Sequence, residues 1–550
     1  MDVGMKNVPI VIIAVLVAVG AIAGFYYLSE DKTPPNIENV TVSNITPTSF
    51  IISWITDEPA TTQVMYRSEK ETDYVHLQEN STLTLQHTYR LTDLAFHTYY
   101  YVVPISRDGS GNSATGGSIC VKTPGPPLLF SVVDIEPESI NLRPTPYFGW
   151  QKSRYADKYI LEIATTPQFG DTIVYRKEFD ADAREHTVEV ALEALKKYYY
   201  RMFAVNEWGN VTASNTPNWF TTSIIVSDKI SHVAVAPDNT KAVVTYSLKD
   251  SVAVISLTDP PHIIANITLP GIARSGVAIT YDSRYAVIAA ARNSYTLDLN
   301  TFAVSKIVYD IPDIIPLSEH VLVAPNSNIA YLCNDLLNPI HIRDYIDYVI
   351  SVLDVPSAHV VDYIHVYERA TLTSNPVTPY AVSPDGAFLY VGCFTGEFKG
   401  ASGETLTGGF IEKIDLAAKA IAKRTVFTKC NSGPWDMELM PDNKHALVLV
   451  DMGASRGYIW WWNMETNKIE ATLNYNVSEA GMDSMVITPD GRFLLVRSHD
   501  KVSIVSVSNH KVIEEHYCYR PTEGGLAVSS DGKFALVGGD GRLGILFIEQ

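Results

Sequence analysis

Three stretches of the C-terminal half say nearly the same thing: SEHVLVAPNSNIAYLCND from Ser318, TPYAVSPDGAFLYVGC from Thr378 and WDMELMPDNKHALVLV from Trp435. Each reads as a small apolar strand, a tight turn and a second strand. The turns recur at Pro237-Asp238, Tyr281-Asp282, Pro325-Asn326, Pro384-Asp385, Pro441-Asp442, Pro489-Asp490 and Ser530-Asp531, seven copies spaced 41 to 59 residues apart. A third strand such as SVAVISL or KVSIVSV follows each, and a fourth follows most. A four-stranded sheet cannot cover both of its own faces. Stacking each sheet on the next around a ring covers them, and closing the ring removes the open ends. The last copy stops at RLGILFIEQ without an outermost strand. The segment 224–230 is therefore expected to close the ring, with Ile224 to Val226 pairing beside the strand that ends near Ile548.

Residues 224–550 resemble, over nearly their whole length, a seven-bladed β-propeller of the YVTN type. Such propellers are common in archaeal and bacterial surface proteins. The resemblance implies the architecture and is nearly silent on activity.

The N-terminus carries a second strong signal. VPIVIIAVLVAVGAIAGFYYL, residues 8–28, has no charge for 21 positions. As a helix it spans about 31 Å, the thickness of a bilayer's hydrocarbon core. Residues 1–7, with Lys6, then form a short tail on the inner side, and Glu30 and Asp31 emerge on the other. Two other readings stay open: a signal peptide cleaved after Ala21-Ile22-Ala23, and a prepilin-like leader cut after Gly4. All three place the remaining chain outside the cytoplasm. Six Asn-x-Ser/Thr tripeptides, at Asn39, Asn44, Asn80, Asn210, Asn266 and Asn476, agree with that placement as glycosylation candidates.

Between anchor and repeats lie two units of about a hundred residues with short alternating strands. Residues 35–123 carry Trp54 on a strand facing inward, Leu94 and Tyr99 ahead of another strand, and the turn RDGSGN. They resemble a fibronectin type III domain. Residues 126–223, with Trp150, Tyr159, Leu195 and Tyr199, resemble a second, looser copy. That family consists of spacers and binding modules, and the aromatic residues named here are expected in the two cores. The whole chain is thus expected to be all-β beyond one N-terminal helix.

The net charge of −19 repels phosphate backbones and argues against nucleic acid as a partner. Five scattered cysteines with no CxxC pair exclude a disulfide framework and a cysteine zinc site, while one disulfide between neighbouring sheets remains compatible. GxSxG, HExxH, P-loop and Asp-box motifs are absent, so no catalytic residue is assigned. Four long insertions fall on the ring face opposite the Pro-Asp turns, and recognition favours such loops. They offer Asp335, Glu397, Lys399, Trp435, Asp436, Arg456 and Tyr458 as binding candidates. Five residues ahead of each turn lies one position of the channel mouth. His232, His320 and Asp436 occupy three of these, with Glu319 and Asp483 one residue earlier in their repeats. They are candidate ligands for a divalent cation, the one cofactor the sequence raises. Trp460-Trp461-Trp462 reads as strand packing, with one ring open to use as a sugar platform. The expected function is a membrane-anchored surface protein presenting its ring to another surface protein, a glycan or a second copy, as in a surface layer. The alternative is an extracytoplasmic enzyme or metal-binding protein working at the channel mouth.

Overall fold

The structure, a computed structural model, describes residues 31–548 apart from 137, 272–274, 291–292, 311–313, 316–319, 337–346, 367–377, 400–404, 428–433, 452–455, 477–481, 499–500 and 519–524. The expected membrane segment 8–28 lies outside the described residues. Among the described residues no helix is long and apolar enough to cross a membrane. The described chain is all-β, interrupted by one short 3-10 turn, Gly170–Thr172.

The first unit is organised by one long strand, Phe50–Ser68, which changes sheets midway. Its first half pairs with Ile37–Ser43 and Asn80–Leu91, and its second half with Tyr99–Arg107. The register breaks around Ala60, where the strand turns the corner. Alternation then sends Phe50, Ile52, Trp54 and Val64 into one core with Tyr100 and Val102. Trp54 places its Nε1–H 2.9 Å from Ser106 Oγ, so its burial leaves no orphan donor.

The second unit packs a mixed sheet, in the order Ile173–Asp180, Lys158–Ala164, Lys197–Asn206, Asn218–Thr222, Ser139–Leu142, against the pair Tyr147–Gly149 and Glu185–Thr187. Trp150 and Tyr159 are buried in its core, as expected. Two of the tyrosines singled out above need correction by one residue. Tyr99 and Tyr199 are not the buried ones: Tyr100 and Tyr198 are. The Tyr100 hydroxyl accepts the Ala95 N–H at 2.7 Å, and the Tyr198 hydroxyl accepts the Glu193 N–H at 3.0 Å. On a strand, a shift of one residue exchanges the faces, so Tyr99 stands exposed under Lys122. Leu195 also leaves its expected place: it packs into a core shared with the repeats, and Leu192 fills the sandwich instead.

Among the described residues, the repeats form seven antiparallel sheets. Six follow chain order, and the third gains an extra short strand, Ile314–Ile315. The first strands neighbour one another in cyclic order, Ile230–Val235 lying against Gly276–Ile279 on one side and Leu526–Val528 on the other. The seventh sheet is composite. Ile224 pairs with Leu543 and Ile225 with Arg542, and the Val226 N–H reaches Gly541 O at 3.0 Å. The pairing ends there, short of residue 230, because Ile230 begins the next sheet.

The recurrent turn has a plain physical basis. All seven close with a backbone hydrogen bond across five residues, from Ala236 N to Lys241 O in the first and Ser529 N to Phe534 O in the last. In six, the residue after the acidic position has positive φ, namely Asn239, Ser283, Gly386, Asn443, Gly491 and Gly532, which favours Gly and Asn. In four, a Ser or Thr two residues before the Asp donates to its carboxylate and accepts a following backbone N–H: Thr280, Ser383, Thr488 and Ser529.

The second sandwich is joined to the sheets by more than a linker. Ile140 forms a parallel bridge with Cys518 and is fully buried among Leu495, Val502, Ile504 and Leu546. Thr221 Oγ1 donates to Ile545 O at 2.7 Å, and Arg542 Nη1 to Asn141 O at 3.3 Å. Gly544 lets the two backbones approach: a Cβ there would sit 2.7 Å from Asn141 Cβ. The two sandwiches also touch, through His97 stacked on Tyr155 at 3.9 Å and Asn206 Nδ2 donating to Gly125 O at 2.8 Å.

Candidate functional site

The first strands bring several of the expected residues to the hub of the seven sheets. His232 and His320 meet with ring centres 6.3 Å apart, nearly perpendicular. The His232 imidazole is pushed down to about 4, first by burial and then by His320, so it is neutral across the physiological range. Its Nδ1 lies 3.0 Å from Ser231 Oγ. His320 is exposed at its edge, and the neighbouring protein still strips enough hydration to lower its pKa as well. Gly525, at the equivalent position of the seventh sheet, is held within reach of the His232–Val233 backbone, where a Cβ would lie 2.2 Å from Val233 N.

Asp436 faces the hub from the first strand of the fifth sheet, Pro434–Leu439. Its Oδ1 accepts the Met437 N–H at 2.8 Å, and its Oδ2 accepts the Met485 N–H of the next sheet at 3.1 Å. Burial nevertheless pushes the carboxyl up to about 6, outweighing both hydrogen bonds. Sequence reading missed its companion. Glu438, two residues on, shares its strand face by simple alternation. Burial and the adjacent Asp436 raise Glu438 well above the usual carboxylate range. The pair places protonatable oxygens at the hub, able to donate a hydrogen bond when neutral and to attract a cation when ionised.

Glu319 and Asp483 lie outside the described side chains. Among the described residues, the one group of three acidic or ligand-bearing side chains close enough to share an ion is Asp31, Glu58 and Asp108, in the first sandwich. There the Asp108 carboxylate is already occupied by the N–H groups of Ser110 and Asn112, at 2.9 and 2.8 Å, and by Asn112 Nδ2 at 2.8 Å. It shapes the RDGSGN turn.

The expected binding loops are more regular than loops. Phe388–Lys399 and Thr405–Asp415 continue their ladder as far as Lys399 opposite Thr405, so Glu397 and Lys399 stand on a protruding hairpin. Asp335 pairs with Tyr348, and Arg456 with Asn476, each on strands extended in the same way. Trp435 falls within the first strand Pro434–Leu439. The side chains of Asp335, Glu397, Lys399, Trp435 and Arg456 lie outside the described ones. Tyr458 is half-buried and packs beside the fifth sheet's core. No family model matches this chain, and no curated protein is significantly similar to it. The sugar-platform reading of the tryptophan triplet is not supported, because all three rings are buried. Trp460 and Trp462 meet Phe427 on one side, while Trp461 packs on the other and donates to Val507 O at 3.1 Å. Asn39, Asn44, Asn80, Asn210 and Asn266 are all exposed. The Asn476 side chain lies outside the described ones.

Proposed function

We propose that this protein is a membrane-anchored extracellular surface protein. On this reading residues 8–28 hold it in the bilayer and two fibronectin type III-like sandwiches act as spacers. The seven sheets close into a YVTN-type propeller presented to a protein or glycan partner, within a surface assembly. The observation that carries the reading is the joint at Ile140, Thr221 and Arg542. A freely tethered domain needs no such joint, whereas a presenter that must hold its propeller in a set orientation does. The acidic surface and the exposed sequons support the same setting. The test is expression of the full chain with a label at its C-terminus, followed by alkaline extraction of membranes and protease treatment of intact cells. The expected result is a membrane-retained protein whose label is accessible from outside. Retention in the soluble fraction, or protection of the label in intact cells, overturns the proposal.

A second reading, metal binding or catalysis at the hub, is favoured by one observation: the first strands carry two acid–base pairs, Asp436 beside Glu438 on one sheet and His232 meeting His320 between two others. Metal analysis of the purified chain beside a His320→Ala variant separates the two. Stoichiometric metal lost in the variant supports the second reading, and its absence supports the first.

A further inference from the structure

We propose that His516 is a proton-operated latch between the second sandwich and the sixth sheet. His516 lies on the outer strand Lys511–Tyr517 and is 2 % exposed. The second sandwich covers it: Trp219 packs over the imidazole with ring centres 5.5 Å apart, and the Ile140–Cys518 bridge lies two residues away. Nε2 stands 3.1 Å from Glu514 Oε2. A carboxylate only accepts, so in the neutral ring Nε2 carries the proton. Nδ1 is then a bare acceptor, and it is buried without a hydrogen-bond partner. What faces it is the Glu138 carboxylate, 3.9 Å away, on the sandwich side of the joint.

This arrangement suits one protonation state far better than the other. In the neutral ring two acceptors oppose each other across the joint and nothing is gained. Once Nδ1 takes a proton, the imidazolium donates to Glu514 on its own strand and to Glu138 across the joint. Only a small rotation of the half-exposed Glu138 side chain is needed. The other charged groups around the joint do not take over this role. Lys197 Nζ lies over the Trp219 ring, 4.1 Å from its centre. Arg542 is engaged with Asn141 O. Lys501 pairs with Glu515 at 2.5 Å, and the residue opposite His516 on that strand is the apolar Val502. The latch holds because the two carboxylates face the ring from both sides of one seam. Protonation of Nδ1 therefore tightens the joint, and loss of that proton loosens it. The inference stands on the geometry of the joint and does not depend on where the protein resides.

Cys518 provides the readout, because it is buried in the same seam. The full chain, with its other four cysteines replaced by serine, is treated with a pyridyl disulfide reagent at several pH values. Each rate is divided by that of the unfolded chain at the same pH. The expected corrected rate falls roughly fivefold between about pH 8 and about pH 5. His516→Gln keeps the donor to Glu514 and removes the titration, so its corrected rate is flat. Glu138→Gln, at an exposed position, leaves folding intact and reduces the dependence to less than about half. A flat wild-type profile overturns the proposal, and so does a Glu138→Gln profile as steep as the wild type.

Discussion

Ile140→Ala asks whether the second sandwich and the seven sheets are one cooperative body. Ile140 belongs by chain order to the sandwich, yet it is fully buried in the core of the sixth and seventh sheets. Truncation removes three carbons, about 2.4 kcal/mol at about 0.8 kcal/mol each, and partial collapse of the cavity brings the cost to about 3 kcal/mol. The strand partners Leu142 and Phe220 remain in the sandwich's own core, so that unit keeps most of its packing. Urea unfolding of the full chain is followed by tryptophan fluorescence and by hydrogen exchange resolved to peptides. The variant is expected to lose protection in Lys511–Tyr517 and Arg542–Phe547 as well as in Ser139–Leu142. Val174→Ala, at a 51 % exposed position far from the joint, serves as control and should cost under about 0.5 kcal/mol. A loss below about 1 kcal/mol, or one confined to the sandwich peptides, refutes the argument that the two units share a core.

The hub supplies two predictions of opposite sign. Asp436 is raised to about 6 from an ordinary value of 3.8, so the folded state holds the proton more tightly. Stability therefore falls as the pH rises through that window, by an amount of order 2 kcal/mol, and Asp436→Asn should flatten this part of a denaturant-midpoint profile. His232 is lowered to about 4 from 6.5, so stability is lost as the pH falls through that window, and His232→Gln should remove the loss. In the fourth sheet Arg424 pairs with the fully buried Glu412. Arg424→Ala should cost about 3 kcal/mol by thermal or urea unfolding, whereas replacing both residues by apolar ones should cost much less.

The repeats were legible because their turns obey local chemistry. An Asp or Asn followed by a residue able to take positive φ can be read without knowing what packs above it, and six of the seven turns follow that rule. The composite seventh sheet was legible for a related reason: a repeat short of one strand needs one from elsewhere. Long-range geometry was not legible. Glu438 looks like any acidic residue until Asp436 is known to face the hub, and only the cyclic contact of first strands shows which face that is. Tyr100 and Tyr198 were missed by one position because runs of adjacent tyrosines carry no alternation to set the register. His516 and Ile140 gave no signal at all, since both act across a seam between units far apart in the chain.

The fastening at Ile224 and Ile225 has a mechanical consequence. Tension drawn through the second sandwich enters the sheets at Ile224 and Ile225, so the first hydrogen bonds to feel it bridge the first and last strands of the seven-sheet body. Only two residue pairs form that ladder, but the neighbouring contacts of Thr221 and Arg542 lie in parallel with it and share the strain. A pull on the sandwich is thereby spread across the seam, and peeling the sheets open strand by strand would first require breaking these contacts.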